Sequence, residues 1–230
     1  MHFLIMETTT LIPDRLQVFK EFENFIVAQD HPCLMAQSVF KMGEVELHTY
    51  EKLGDKVTTT LILEDLGNYI KDYNFKDNNF QTFIASFPNE AYPSEGFFEQ
   101  ALWEQLQLLH NQDTESWDKT VSNNPEDKNF SFSILGKAFY IVGMHPESSR
   151  YARRSPYPTI IFNLHWQFEK LRDMKAYENV RDKIRERDKA LQGHINPVLE
   201  DFGKSSEALQ YSGRNVDKEW KCPFHAKNKE

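Results

Sequence analysis

The segment from Gly143 to His165, GMHPESSRYARRSPYPTIIFNLH, concentrates residues able to do chemistry. His145 and His165 bracket three arginines, Arg150, Arg153 and Arg154. The apolar run Thr159-Ile160-Ile161-Phe162 lies between the arginines and the second histidine. A neutral imidazole can hold a metal, and guanidinium forks match carboxylates. With apolar and aromatic side chains around them, these types suit an iron porphyrin: an axial ligand, a dry wall and propionate partners. The same residues also compose a strand, a basic loop and a helix start with no ligand. In that reading His165 bonds to backbone, His145 is a turn residue and the arginines pair with surface acids.

Two further groups compete for a metal. Cys222-Pro223 could offer iron a thiolate, or it is a buried C-terminal cysteine. His31-Pro32-Cys33 together with Cys222-Pro223-Phe224-His225 supplies two sulfurs and two imidazoles, a tetrahedral zinc set in type but not in spacing. Gln192 to Pro197, Asp201-Phe202-Gly203 and Gln210 to Arg214 place polar residues beside Gly or Pro, as both pocket loops and plain turns do. The sequence contains no phosphate-binding loop, dinucleotide fingerprint, nucleophile elbow or His-Glu-x-x-His motif.

These residues must be held by elements that the hydrophobic pattern predicts. Helices are expected over Pro13 to Gln29, with Asp14 as N-cap, and over Leu34 to Met42. Val45 to Leu53 and Phe80 to Phe87 read as strands. Lys56 to Tyr73 is mixed: Thr58-Thr59-Thr60 favours strand, and the second half favours helix. Ser94 caps a helix through His110 with Phe97, Leu102, Leu106 and Leu109 inward. Asp113 to Asn129 reads as a polar loop, and Phe130 to Ile134 and Ala138 to Met144 form a hairpin about Leu135-Gly136-Lys137. Thr159 to Asn163 is another strand, ending just before His165. A long helix follows, with Phe168, Leu171, Met174, Tyr177, Val180, Ile184 and Leu191 on one face and Gly193 as its stop. Glu169–Arg172, Glu178–Arg181 and Asp182–Arg185 are spaced to pair on its wet side.

The expected fold is a single α+β domain spanning 1–230, with a mixed or antiparallel sheet, helices against it, and flexible ends at 1–12 and 226–230. A net charge of −8 argues against nucleic acid and anionic lipid as partners. No stretch has the apolar length of a membrane span or the form of a secretory signal. Two distant cysteines suit a reducing cytoplasm. Eighteen phenylalanines, nine tyrosines and four tryptophans can fill a core or line a pocket for a flat ligand.

His31-Pro32-Cys33, Gly143-Met144-His145-Pro146, Ser149-Arg150-x-Ala152-Arg153-Arg154, Phe162-Asn163-x-His165-x-Gln167-Phe168-Glu169, Asn196-Pro197, Tyr211-Ser212-Gly213-Arg214 and Trp220-x-Cys222-Pro223-Phe224 occur in this order. In that order they resemble the YqcI/YcgG family, from about Phe19 to Phe224. The resemblance implies a heme- and oxygen-dependent N-oxygenase that hydroxylates a guanidine or amino nitrogen of a small molecule, arginine-like ones included. It implies heme b; with no flavin or nicotinamide motif in the sequence, an external electron donor is expected, and a homodimer is allowed. His165 is then the first candidate for the iron ligand, His145 the second (or a distal polar group) and Cys222 the third. Arg150, Arg153 and Arg154 become propionate or substrate-carboxylate partners, and Glu169 or Asp201 the carboxylate for a guanidinium. A heme carrier or sensor, or a zinc-stapled binding module, are the alternatives.

Overall fold

The computed structural model describes residues 13–198, 200–217 and 219–227. The sequence expectations for 1–12 and 228–230 lie outside them. Asp14 caps α1 (Arg15–Glu23) by accepting from Gln17 N, and the helix runs on into a π-helical turn, Asn24–Ala28. There Gln29 N bonds to Asn24 O, and His31 N to Ile26 O, closing wide turns before Pro32. α2 (Leu34–Met42) ends on Gly43, whose φ of 73° suits a left-handed helix stop. β1 is Val45–Thr49, shorter than its hydrophobic run.

The mixed segment resolves entirely as helix α3 (Lys56–Asp72). Asp55 accepts from the backbone of Val57 and Thr58, and Thr59 Oγ1 turns back to Asp55 O. Cap and buried stripe (Ile62, Leu66, Tyr69) outweigh the strand preference of three threonines. β2 is Thr82–Ser86, and α4 is Glu95–Gln112. Phe98, not Phe97, enters the core. Phe97 is 59% exposed because the inward stripe runs through Phe98, Leu102, Leu106 and Leu109, one helical step away.

β3 (Phe132–Ile134) and β4 (Lys137–Met144) join through Leu135-Gly136, both at positive φ, as a tight two-residue hairpin demands. β5 (Thr159–Leu164) passes directly into α5 (His165–Asp173). The expected long helix breaks at Lys175, whose φ is 55°, and resumes as α6 (Tyr177–Gln192). Of the three expected pairs, Glu169–Arg172 forms. Arg181 and Arg185 instead reach Asp201 across the fold. A short α7 (Ala208–Tyr211) follows.

The five strands run in the order β1-β2-β5-β4-β3, with β1 and β2 parallel and the others antiparallel. The fold is therefore α+β with a mixed sheet. Strand alternation gives the sheet two unlike faces. Phe83, Phe139, Ile141, Ile160, Phe162 and Leu164 join α3 and α4 in the main core. Ile84, Val142, Met144 and Ile161 face α1 and α2. Gly143 sits where a Cβ would lie 2.7 Å from Tyr211 O and 3.0 Å from Phe98, so α4 and α7 close onto β4 only because no side chain is there. Among the described residues no helix is long and apolar enough to cross a membrane.

Candidate functional site

The second face of the sheet is not fully covered. A cavity of about 320 Å³ opens between it and the layer made by α1, α2, α5 and α6, within the size range of small-molecule sites. Its floor is Thr82, Ile84, Tyr140, Val142, Ile161 and Asn163, successive inward positions of three neighbouring strands. Phe22, Val39 and Phe40 wall one side. On α6, Tyr177, Val180 and Ile184 present an apolar stripe, with Arg181, Arg185 and Asp188 on its flank.

His165 lines this cavity at the junction of β5 and α5. It is 5% exposed, and its Nε2 is buried without a hydrogen-bond partner. Phe202 packs edge-on against its ring at 4.5 Å, and Glu169 Oε1 stands 3.9 Å from Nε2. Burial pushes its pKa down to about 4, with Arg172 adding to the effect, so the ring is neutral near pH 7.

The other two iron-ligand candidates are elsewhere. His145 is 1% exposed and stacks on Phe98 of α4, with both ring nitrogens unpartnered and its pKa lowered by burial. Met144 pairs with Thr159, and Phe139 with Leu164. The two histidines therefore stand beyond opposite ends of β5, about 20 Å apart at a strand rise of about 3.3 Å per residue. Cys222 packs against the main core near α4, and burial pushes its thiol up to about 12. Neither residue lines the cavity.

The four zinc candidates are not brought together. His31 and Cys33 line the cavity, whereas Cys222 is in the α4-side cluster and His225 is bonded through its backbone to Gln107 of α4. Both imidazole nitrogens of His31 are engaged: Nε2 donates to Ala152 O at 2.9 Å, and Nδ1 accepts from Cys33 N. Cys33 Sγ caps α2 by accepting from Ala36 N. Among the described residues no group of three or more His, Cys, Asp or Glu side chains is placed to hold a metal ion.

The arginine cluster divides. Arg150 is buried in an ion pair with Asp188 at 2.5 Å. Arg153 lines the cavity, donating to Gly143 O at 2.9 Å and Gln210 O at 3.3 Å, with no carboxylate partner among the described residues. Arg154 is exposed, bonds to Ser148 O and lies over Tyr151. Glu169 is outward and taken by Arg172, while Asp201 lines the cavity but is held by Arg181 at 2.8 Å and Arg185 at 3.0 Å.

Sequence reasoning missed Glu207. It lines the cavity, is 6% exposed, and has its pKa pushed up to about 8 by burial. Nothing in its sequence marks it, because it lies among short turns with no period to betray burial. Tyr140 was missed too, whereas Gln210, in the segment Gln210 to Arg214 marked as a pocket loop or a plain turn, does line the cavity. The Tyr140 hydroxyl donates to Gln210 Oε1 at 2.7 Å across the floor. The alternation of β4 could have placed Tyr140, since it shares its face with Val142.

The YqcI/YcgG family model matches residues 22–225. With all five strands and α2 to α7 inside that match, the chain belongs to the YqcI/YcgG family. It is similar to the uncharacterized protein YqcI of Bacillus subtilis (strain 168), 29% identical over 133 residues, which is 55% of this chain. That match spans about half of the relative, 52% of its length. No solved structure matches.

Proposed function

We propose that this protein is a heme-dependent N-oxygenase, hydroxylating a guanidine or amino nitrogen of a small molecule. The observation that carries the reading is the His165 imidazole, neutral, buried and uncommitted at Nε2 on the wall of a sheet-floored cavity. Leaving such an atom unbonded costs about 1–3 kcal/mol unless something uses it. The residues present fit the group. His165 would hold the iron, the Ile84, Val142 and Ile161 floor would meet the macrocycle, and Arg153 would pair with a propionate. Phe202 packs edge-on against the same ring at 4.5 Å and would flank a metal held there. Bound there, heme supplies the binding and reductive activation of dioxygen.

The chain's own part is to orient and to exclude water. Gln81 holds Gln167 through its backbone N and O at 3.1 and 2.8 Å, fixing the first turn of α5 behind His165. Thr82 Oγ1 donates to Asn163 Oδ1, tying down the polar spot on the floor. Electrons come from a separate donor.

Expression with iron supply should give a red protein with a Soret band, and His165→Ala should lose or shift it. A colourless protein that also rejects added hemin sinks the reading. The same colour with no hydroxylated product from arginine-like compounds, given reductant and oxygen, would instead make the protein a heme carrier or sensor.

A further inference from the structure

The charged groups around the cavity are nearly all spoken for. Arg150 holds Asp188, and Arg181 and Arg185 share Asp201. Arg172 is held by Glu169 and lies 4.3 Å over the Tyr177 ring. Glu200, also on the lining, is exposed. Glu207 differs from these acids: it is buried, it lines the cavity, and it has no ion-pair partner among the described residues. Its hydrogen-bond partners are hydroxyls: Tyr211 donates to Oε2 at 3.3 Å, and Ser131 also stands beside the carboxyl.

We propose that Glu207 receives the cationic nitrogen group of the cavity's ligand and gives up its own proton when that group binds. The choice of a nitrogen cation rests on the proposed activity; the acceptor is chosen by the geometry. Before binding, the carboxyl is neutral: burial keeps its proton on to about pH 8. The groups facing it do not reverse this. Arg172 of α5 favours ionisation, Glu169 of the same helix opposes it, Ser131 and the Tyr211 hydroxyl favour it as hydrogen-bond donors, and Tyr140 of β4 stays a neutral phenol. On binding, the O–H bond of the acid breaks, its electron pair stays on the carboxylate, the proton passes to solvent, and the carboxylate pairs with the incoming cation. The net charge buried is therefore that of a neutral ion pair.

The test uses the full-length protein and agmatine, whose amine and guanidinium stay charged over about pH 6 to 9. His31 and His165 are held neutral by burial and have no proton to lose near pH 7. Calorimetric titration at pH 7, in two buffers of different ionisation enthalpy, should show close to one proton released per agmatine bound. Affinity should rise about tenfold per pH unit up to about pH 8 and then level off. Glu207→Gln should bind at least tenfold more weakly and release no proton. Agmatine binding to the natural protein without proton release overturns the proposal, and so does no binding at all. Both of these results are read on the natural protein, so neither depends on the variant folding. An absorption spectrum of the same samples decides the heme reading separately, since the proton count does not depend on a Soret band.

Discussion

His165 makes the stability of this protein acid-sensitive in a way that can be worked out. Its pKa falls from the ordinary 6.5 to about 4 on folding. The unfolded chain therefore takes up a proton at this site before the folded chain does. Stability contributed by the neutral ring is present above about pH 6.5 and is lost as pH falls towards 4. The full effect is about 3 kcal/mol. Between about pH 7 and 4.5 roughly 2–3 kcal/mol of it is expressed. The perturbation is His165→Gln, which keeps a polar side chain but cannot titrate. Urea unfolding of both proteins across that range should show the natural chain losing about 2–3 kcal/mol more than the variant. His31 and His145, also depressed by burial, leave a common slope in both proteins, so the difference isolates position 165. Parallel pH curves would refute the buried neutral imidazole and the ligand role built on it.

Three more outcomes follow from the same geometry. Arg150→Met strands Asp188 in the interior and should destabilise by about 3–5 kcal/mol, read from the denaturant midpoint; Arg150→Met with Asp188→Leu should recover most of the loss. Gly143→Ala places a Cβ 2.7 Å from Tyr211 O and should cost about 1–3 kcal/mol, lowering the melting temperature. Phe202→Ala uncovers the His165 ring, so hemin uptake followed at the Soret band should be faster than in the natural protein; an equal rate would mean that Phe202 does not gate access.

Strands and helices were legible wherever a single period dominated. β5 and the hairpin fell close to their predicted ends, because alternating apolar residues and a Leu-Gly turn leave few other solutions. α3 was only half legible, since its first turn is decided by the Asp55 cap and not by the preference of Thr58 to Thr60. Phe97 and Phe98 look alike in sequence; only the phase of the helix against the sheet chooses between them. The site shows the same limit. His165 and Arg153 were found through their neighbours in sequence, and they do share the cavity. His145, equally conspicuous in the sequence, is on the other side of β4, stacked on Phe98. Which acids remain available depends on pairings such as Arg181 with Asp201, twenty residues apart on different segments, and no local pattern encodes them.

The two faces of the sheet also separate two kinds of change. On β5, Ile160, Phe162 and Leu164 are committed to the α4 core, while Ile161 and Asn163, the residues between them, face the cavity and the layer of α1 and α2. On β4, Ile141 belongs to the α4 core and Val142 to the cavity side, while Tyr140 lines the cavity and also packs against the main core through Tyr211. Substitutions at the second set can reshape what the protein accepts while the α4-side core is left alone. A descendant could thus exchange one ligand for another by altering alternate residues of two strands, as long as positions 142 and 161 keep their packing against the cluster of α1 and α2.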